Sequence, residues 1–399
     1  MKVKKEIWIP SPKKGVTASG SANYLSAKNL RMMQIYNYVS SSDRADAIYQ
    51  RFSNDNGKTW DQPELLHTYD KKGDYTIRYG VGIPFVDTDH NVLVRFRGTR
   101  FLKHDDVLSG QKRFKMFYQI SKDEGKTFTA PIQIIEEGDE FNSEHYMSGV
   151  FYGKNCAQIE GVPIKVSPRE ILVPLCLFPI DEKGKLYNPR GAYTFAHIIF
   201  LVGEWNEDLS KIKWKTSQVV KISPDLSTRG LNEPAVAILP DGKLFCICRG
   251  SNDKAPHIPG YKWVIISSDK GKTWSKPSPL CYDNGEKLFS PASYSRLIRH
   301  FNGRLYWIAN IVSANPYANS PRYPLTIAEI DEENLTLRRQ SIFVIDTRGK
   351  DESEFLQLSN FGVYEDRKTK EIIITLSRLF PEQKDDWTAS CMKYSINVS

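Results

Sequence analysis

The sequence is poor in the residues that build metal centres and disulfide frameworks. Its 399 residues hold six cysteines and seven histidines. The cysteines, at 156, 176, 246, 248, 281 and 391, have neither metal-ligand spacing nor the density of a disulfide scaffold. No metal and no cofactor is therefore expected. Cys246 and Cys248 sit in an apolar run where a period of two puts both side chains on one face, as buried free thiols. No segment approaches transmembrane length, so no membrane partner is expected. The basic start MKVKKEIWIPSPKKG is not followed by the apolar stretch of a signal peptide, so the expected compartment is the cytoplasm, unless a leader is missing from this chain. Long runs of one charge are missing too. The formal charge of +8 is spread along the chain, which argues against a nucleic-acid footprint while favouring an anionic ligand.

What the sequence has in quantity is aromatic residues, 12% of the chain, which lean toward strands. It also has a repeat. SNDNGKTW from Ser53, SKDEGKTF from Ser121 and SSDKGKTW from Ser267 share the pattern Ser-x-Asp-x-Gly-x-Thr-aromatic. The short acid bonds backbone N–H groups ahead of it, glycine supplies a positive φ, and the closing aromatic packs on a sheet: the octet is a tight turn. Asp55, Asp123 and Asp269 are read as turn-formers, so the octet reports fold rather than chemistry.

Asp269 follows Asp123 at about twice the interval that separates Asp123 from Asp55, which implies one hidden repeat. GEWNEDLSKIKW, from Gly203 to Trp214, is a decayed copy near the expected place, and EIDEENLTL, from Glu329 to Leu337, is a second. Strand-turn-strand signals recur in step, as in AVAILPDGKLFCICRG and SRLIRHFNGRLYWIANI. The tail holds one more unit. The pattern predicts an all-β chain: one six-bladed β-propeller domain over residues 1–399, with four-stranded antiparallel blades. Residues just before the Asp-Gly turns and just after the strand that follows then cluster in one shallow pocket at the axis despite long separations in sequence.

The octets, their spacing and the segment NEPAVAILPDGKLFCICRG resemble the sialidase superfamily, whose members carry such repeats on six-bladed propellers. The likeness runs over essentially the whole chain. It implies Glu233 as a catalytic carboxylate before the turn of blade four, Arg249 after the second strand of that blade, and Arg322 in ANPYANSPRYPLTIAEI. Two guanidiniums would hold a carboxylate or sulfate. By the same resemblance Asp43 stands near the family's acid/base aspartate, with Asp46 competing.

Departures from the family are as informative. The arginine of its Arg-Ile-Pro opening is missing: TASGSANYLSAKN stands there, and in blade two Gly82 precedes Ile83 and Pro84. Counting back from Asp366 puts Leu358 in the place of the family's nucleophilic tyrosine. Tyr294 precedes Gly303 by the interval at which Glu233 precedes Gly242. It is expected at the axis as a replacement nucleophile, a stacking platform or packing. His145 and Tyr146 are rim residues, His145 as a substrate contact. The loops PRGAYTF and NDKAPHIPGYKW form the pocket wall, with Arg190 and His257 as further contacts.

The resulting expectation is a sialidase-like, exo-acting glycoside hydrolase that takes a terminal, acidic sugar of a glycan and is not a standard sialidase. Two alternatives stay open: a glycan-binding propeller without catalysis, and a polysaccharide lyase acting on a uronic acid. The expected partner is a glycan or oligosaccharide. Nothing in the sequence fixes the oligomeric state.

Overall fold

The computed structural model describes residues 1–398 and gathers their strands into six antiparallel sheets. Blade four is representative: Asn232–Ile238 lies innermost, then Leu244–Arg249, Lys262–Ser267 and the short outer Ser278–Pro279. Its second strand, LFCICR, is buried at every position, as are Leu305–Asn310 of blade five and Ile372–Ser377 of blade six. Such strands have sheet on both edges and a neighbouring blade on each face. That is why they read as continuous apolar runs rather than alternating ones.

Each octet is the turn between the third and fourth strands of its blade, and the three share one bonding scheme. Asp269 accepts from the backbone N–H and the hydroxyl of Thr273 at 2.9 and 2.6 Å, and Ser267 Oγ accepts from the N–H of Gly271 at 2.9 Å. The same bonds recur around Asp55 and Asp123. The turn also fastens one blade to the one before it. Trp274 stacks on Phe200 of blade three at 4.2 Å. A Cβ at Gly271, whose φ is +87°, would lie 2.6 Å from Leu172 of the same blade, so both the turn and the contact require glycine. The decayed copies occupy the corresponding turns: Gly203 to Trp214 joins His197–Trp205 to Ile212–Thr216, and Glu329 to Leu337 joins Leu325–Asp331 to Thr336–Leu337.

Two features go beyond the sequence reading. Blade two carries an added hairpin, Tyr69–Lys72 and Tyr75–Tyr79, against the long strand Val92–Lys103. The last unit, moreover, is not wholly in the tail. Gly362–Glu365, Ile372–Ser377 and Cys391–Asn397 supply three strands, and Lys2–Ile9 adds the fourth by pairing with Cys391–Asn397. The seam continues inward, where Ala18 N–H bonds the Ala389 carbonyl at 2.8 Å and Ser377 Oγ bonds the Ala18 carbonyl at 2.7 Å.

Asp269→Ala should lower stability by about 1 kcal/mol, as expected for lost hydrogen bonds at a partly solvated turn, and leave ligand preference unchanged. Urea melts together with ligand titration check this. Hydrogen bonds from Thr59 and Thr127 hold the Asp55 and Asp123 carboxyls down to about 2. Titrating lower when folded, they contribute stability above their ordinary value of 3.8 and lose it as pH falls toward about 2, which an acid melt series will register.

Candidate functional site

Each blade delivers one residue to the axis, in its inner strand or within two residues of it. Ser19, Gly82, Glu160, Glu233, Tyr294 and Asn360 line one axial cavity of about 620 Å³. A second lobe of about 550 Å³ opens beside it, and Glu160, Glu233 and Asn360 border both. The backbone is strained around this second lobe. Asp43, Glu233, Ala318 and Asn360 line it with φ of 59°, 45°, 48° and 59°, values that non-glycine residues adopt only under constraint. At Glu233 the cause is a bulge: the register of Asn232–Ile238 against Leu244–Arg249 shifts between Asn232 and Ala235.

Arg249, 8% exposed, donates to Glu233 Oε1 at 2.8 Å and to Asn319 Oδ1 at 3.2 Å. The other carboxylate oxygen, Glu233 Oε2, is buried without a partner. Burial by itself would raise this carboxyl, but the charge and hydrogen bond of Arg249, with Lys262 and Arg322 behind them, hold it below the usual carboxylate range. Arg322, 9% exposed, donates to Gln357 Oε1 and the Ala292 carbonyl, and its Nε is left unpartnered. Burial, then the charge of Arg249, pushes its guanidinium down to about 9. Arg249 and Arg322, from blades four and five, thus line one lobe.

A third guanidinium joins them, one that the sequence reading passed over. Arg229 bonds Thr194 Oγ1 at 2.6 Å, lies 5.4 Å from the Tyr193 ring, and has an unpartnered buried Nε. Its place four residues before Glu233 in TRGLNEP was the available signal. Glu160 was missed because blade three lacks both the octet and the Asp-Gly turn that frame Glu233 in blade four.

Of the other sequence-based candidates, Asp43 lines the lobe and Asp46 does not. Asp43 Oδ2 lies 3.0 Å from Ser42 Oγ and 3.5 Å from the Tyr193 hydroxyl at the exposed mouth. Tyr294 reaches the axial cavity, with Arg296 4.7 Å from its ring and Phe361 edge-on at 5.4 Å, and burial raises its phenol. The PRGAYTF loop forms wall through Tyr193 and Thr194, and the NDKAPHIPGYKW loop through Asp253.

Several expectations need correcting. His145 is not at the cavity: its Nδ1 lies 2.7 Å from the Val150 carbonyl and its ring stacks on Phe151 at 4.5 Å. Tyr146 is fully buried, donating to the Phe114 carbonyl. Arg190 pairs with Asp225 on the surface, and His257 is exposed away from both lobes. Leu358 is core, 0% exposed, and Asn360 holds the last blade's axial place. Counting from the turn misleads there because Asp366 directly follows its strand, which ends at Glu365, whereas Asp241 stands three residues beyond Ile238. At Gly82 an arginine is sterically barred, since a Cβ would meet the Phe96 carbonyl at 2.3 Å.

Beneath the arginines lies Lys262, 0% exposed, its ammonium bonded to the Ser293 carbonyl. Burial, then the charge of Arg249, pushes it down to about 7 from 10.5. The unfolded chain therefore binds the extra proton between those values, and this group's contribution to stability rises with pH through that window. Lys262→Met should raise the melting temperature, with a larger gain at about pH 6 than at about pH 9; calorimetry at the two pH values checks the sign.

Comparison with known proteins places this geometry among related folds. A protein of unknown function from Dyadobacter fermentans superposes with a TM-score of 0.63 at 14% identity, over 99% of each chain. A NanB sialidase mutant from Streptococcus pneumoniae gives 0.60 at 11% identity, over 99% of this chain and 70% of that one. An intramolecular trans-sialidase from Ruminococcus gnavus, in complex with oseltamivir carboxylate, gives 0.60 at 12% identity, over 99% and 97%. At such identities the likeness is one of fold. No curated protein matches the sequence. Residues 31–355 match the BNR repeat-like domain, and with most of its length so matched the chain belongs to that family.

Proposed function

We propose that this protein is an exo-acting glycoside hydrolase that removes a terminal acidic sugar from a glycan and is not an ordinary sialidase. The observation that carries the reading is Glu233: Arg249 anchors one oxygen at 2.8 Å while Oε2, buried and unpartnered, is left for a proton. A largely buried carboxylate is costly without a partner or a task, and Arg249 partners only one of its oxygens. The acidic sugar follows from charge balance. Arg229, Arg249, Lys262 and Arg322 are grouped around Glu160 and Glu233, a surplus of cations that a carboxylated ligand would neutralise. Asp43 and Tyr193 would meet the sugar at the mouth, and Tyr294 would stack on it from the axial side. Two family parts are replaced: Ser19 and Gly82 stand where blades one and two could carry an arginine, and Asn360 stands in the last blade. Asn360 also favours a second reading, a glycan-binding propeller that does not cleave.

A panel of sialylated, uronic-acid and rhamnosylated glycans, scanned for released reducing ends and for unsaturated products, separates these readings. Cleavage of an acidic glycan by the wild type and its loss in Glu233→Gln is the expected result. Binding without release would leave the lectin reading, and an unsaturated product would point to elimination. Simple aryl sialosides should give negligible turnover; robust release of sialic acid would overturn the exclusion. Arg322→Leu should weaken binding of a carboxylated product by roughly 2 to 5 kcal/mol, measurable by titration calorimetry.

A further inference from the structure

Hydrolysis at this site needs a second carboxyl group, because a water must lose a proton while the leaving oxygen gains one. Asp43 is exposed at the mouth, facing the hydroxyls of Ser42 and Tyr193. Glu160 is better placed. It comes from the blade next to that of Glu233, holds the corresponding axial position, and borders both lobes of the cavity with it. Glu233 has Arg249 as an ion-pair partner, whereas among the described residues Glu160 has none. Oε2 of Glu233 and Nε of Arg322 are buried without hydrogen-bond partners, and both residues line the second lobe.

We propose that Glu160 and Glu233 are the acid–base pair of this site: Glu160 protonates the glycosidic oxygen as it leaves, and Glu233 activates the water that replaces it. The inference rests on the hydrolase reading. The water oxygen bonds to the anomeric carbon as the bond from that carbon to the glycosidic oxygen breaks, the electron pair leaving with that oxygen. The leaving oxygen takes the proton of Glu160, and Glu233 Oε2 takes a proton from the water. Exchange with solvent restores both carboxyls, and only water is consumed. Their environments diverge as these roles require. Burial and then the charge of Glu233 raise the Glu160 carboxyl, while the Arg249 pair lowers that of Glu233. The scheme uses no tyrosine, which fits Asn360 in the last blade.

The test uses 2,4-dinitrophenyl and phenyl glycosides of whichever sugar the glycan panel releases. Glu160→Gln should lower kcat/KM for the phenyl glycoside by about 10²- to 10⁴-fold, the usual worth of a general acid. The dinitrophenyl glycoside, which leaves without a proton, should lose less than about 10-fold. The alkaline limb of the pH profile should flatten, and Glu233→Gln should lose both substrates. If Gln at 160 lowers the melting temperature, Glu160→Asp is the second variant: it keeps the alkaline limb at a reduced rate. Wild-type turnover with an unchanged leaving-group dependence in Glu160→Gln overturns the pair and leaves the hydrolase reading standing. Absence of turnover by the wild type overturns that reading and the pair with it.

Discussion

Pairing of Lys2–Ile9 with Cys391–Asn397 puts the two ends of the chain in one sheet, and the axial site depends on that closure. Six blades radiating from an axis hold their inner strands in register only if the ring cannot open. The seam is therefore bonded at several levels, from this outer pairing to the Ala18–Ala389 and Ser377–Ala18 bonds beside the axis. The octets reinforce the ring locally, each turn bonding itself with an aspartate and, in blade four, stacking its tryptophan on the blade before it.

Within that rigid ring the chain keeps an energetically costly arrangement. A carboxylate sits on a bulge at positive φ, and three arginines with a fully buried lysine surround it. Truncating one member of a buried ion pair such as Glu233–Arg249 typically costs 3 to 5 kcal/mol, because the other charge is left unpaired. The surrounding blades hold these charges together, and the anionic ligand proposed for the site would relieve their mutual repulsion.

How far the sequence carried depended on whether the information was local. The octets, the Asp-Gly turns and the apolar second strands are short patterns whose physics is complete within a few residues, and from them the six blades could be read; Glu233, Arg249 and Arg322 came from the resemblance that those patterns carry. His145 shows the opposite case. A histidine beside a blade's beginning looks functional in sequence, yet its ring is committed to the Val150 carbonyl and Phe151.

What the sequence by itself determined was the repeat, and with it the propeller; the resemblance it carries then pointed to Glu233 in blade four, and the same interval to Tyr294 in blade five. Tertiary structure decided the rest. Glu160 comes from a segment with no octet or Asp-Gly turn to count from, and Asn360 lies two residues off the count from Asp366, so only the closed ring reveals that they, with Arg229, line one lobe with Glu233 and Arg322. The outermost strand of blade six is Lys2–Ile9, which no count along the tail could supply. Leu358 is core and Asn360 axial because a two-residue difference in where a strand ends moves the side chain that meets the axis, and strand ends are fixed by pairing with neighbours rather than by the strand's own residues.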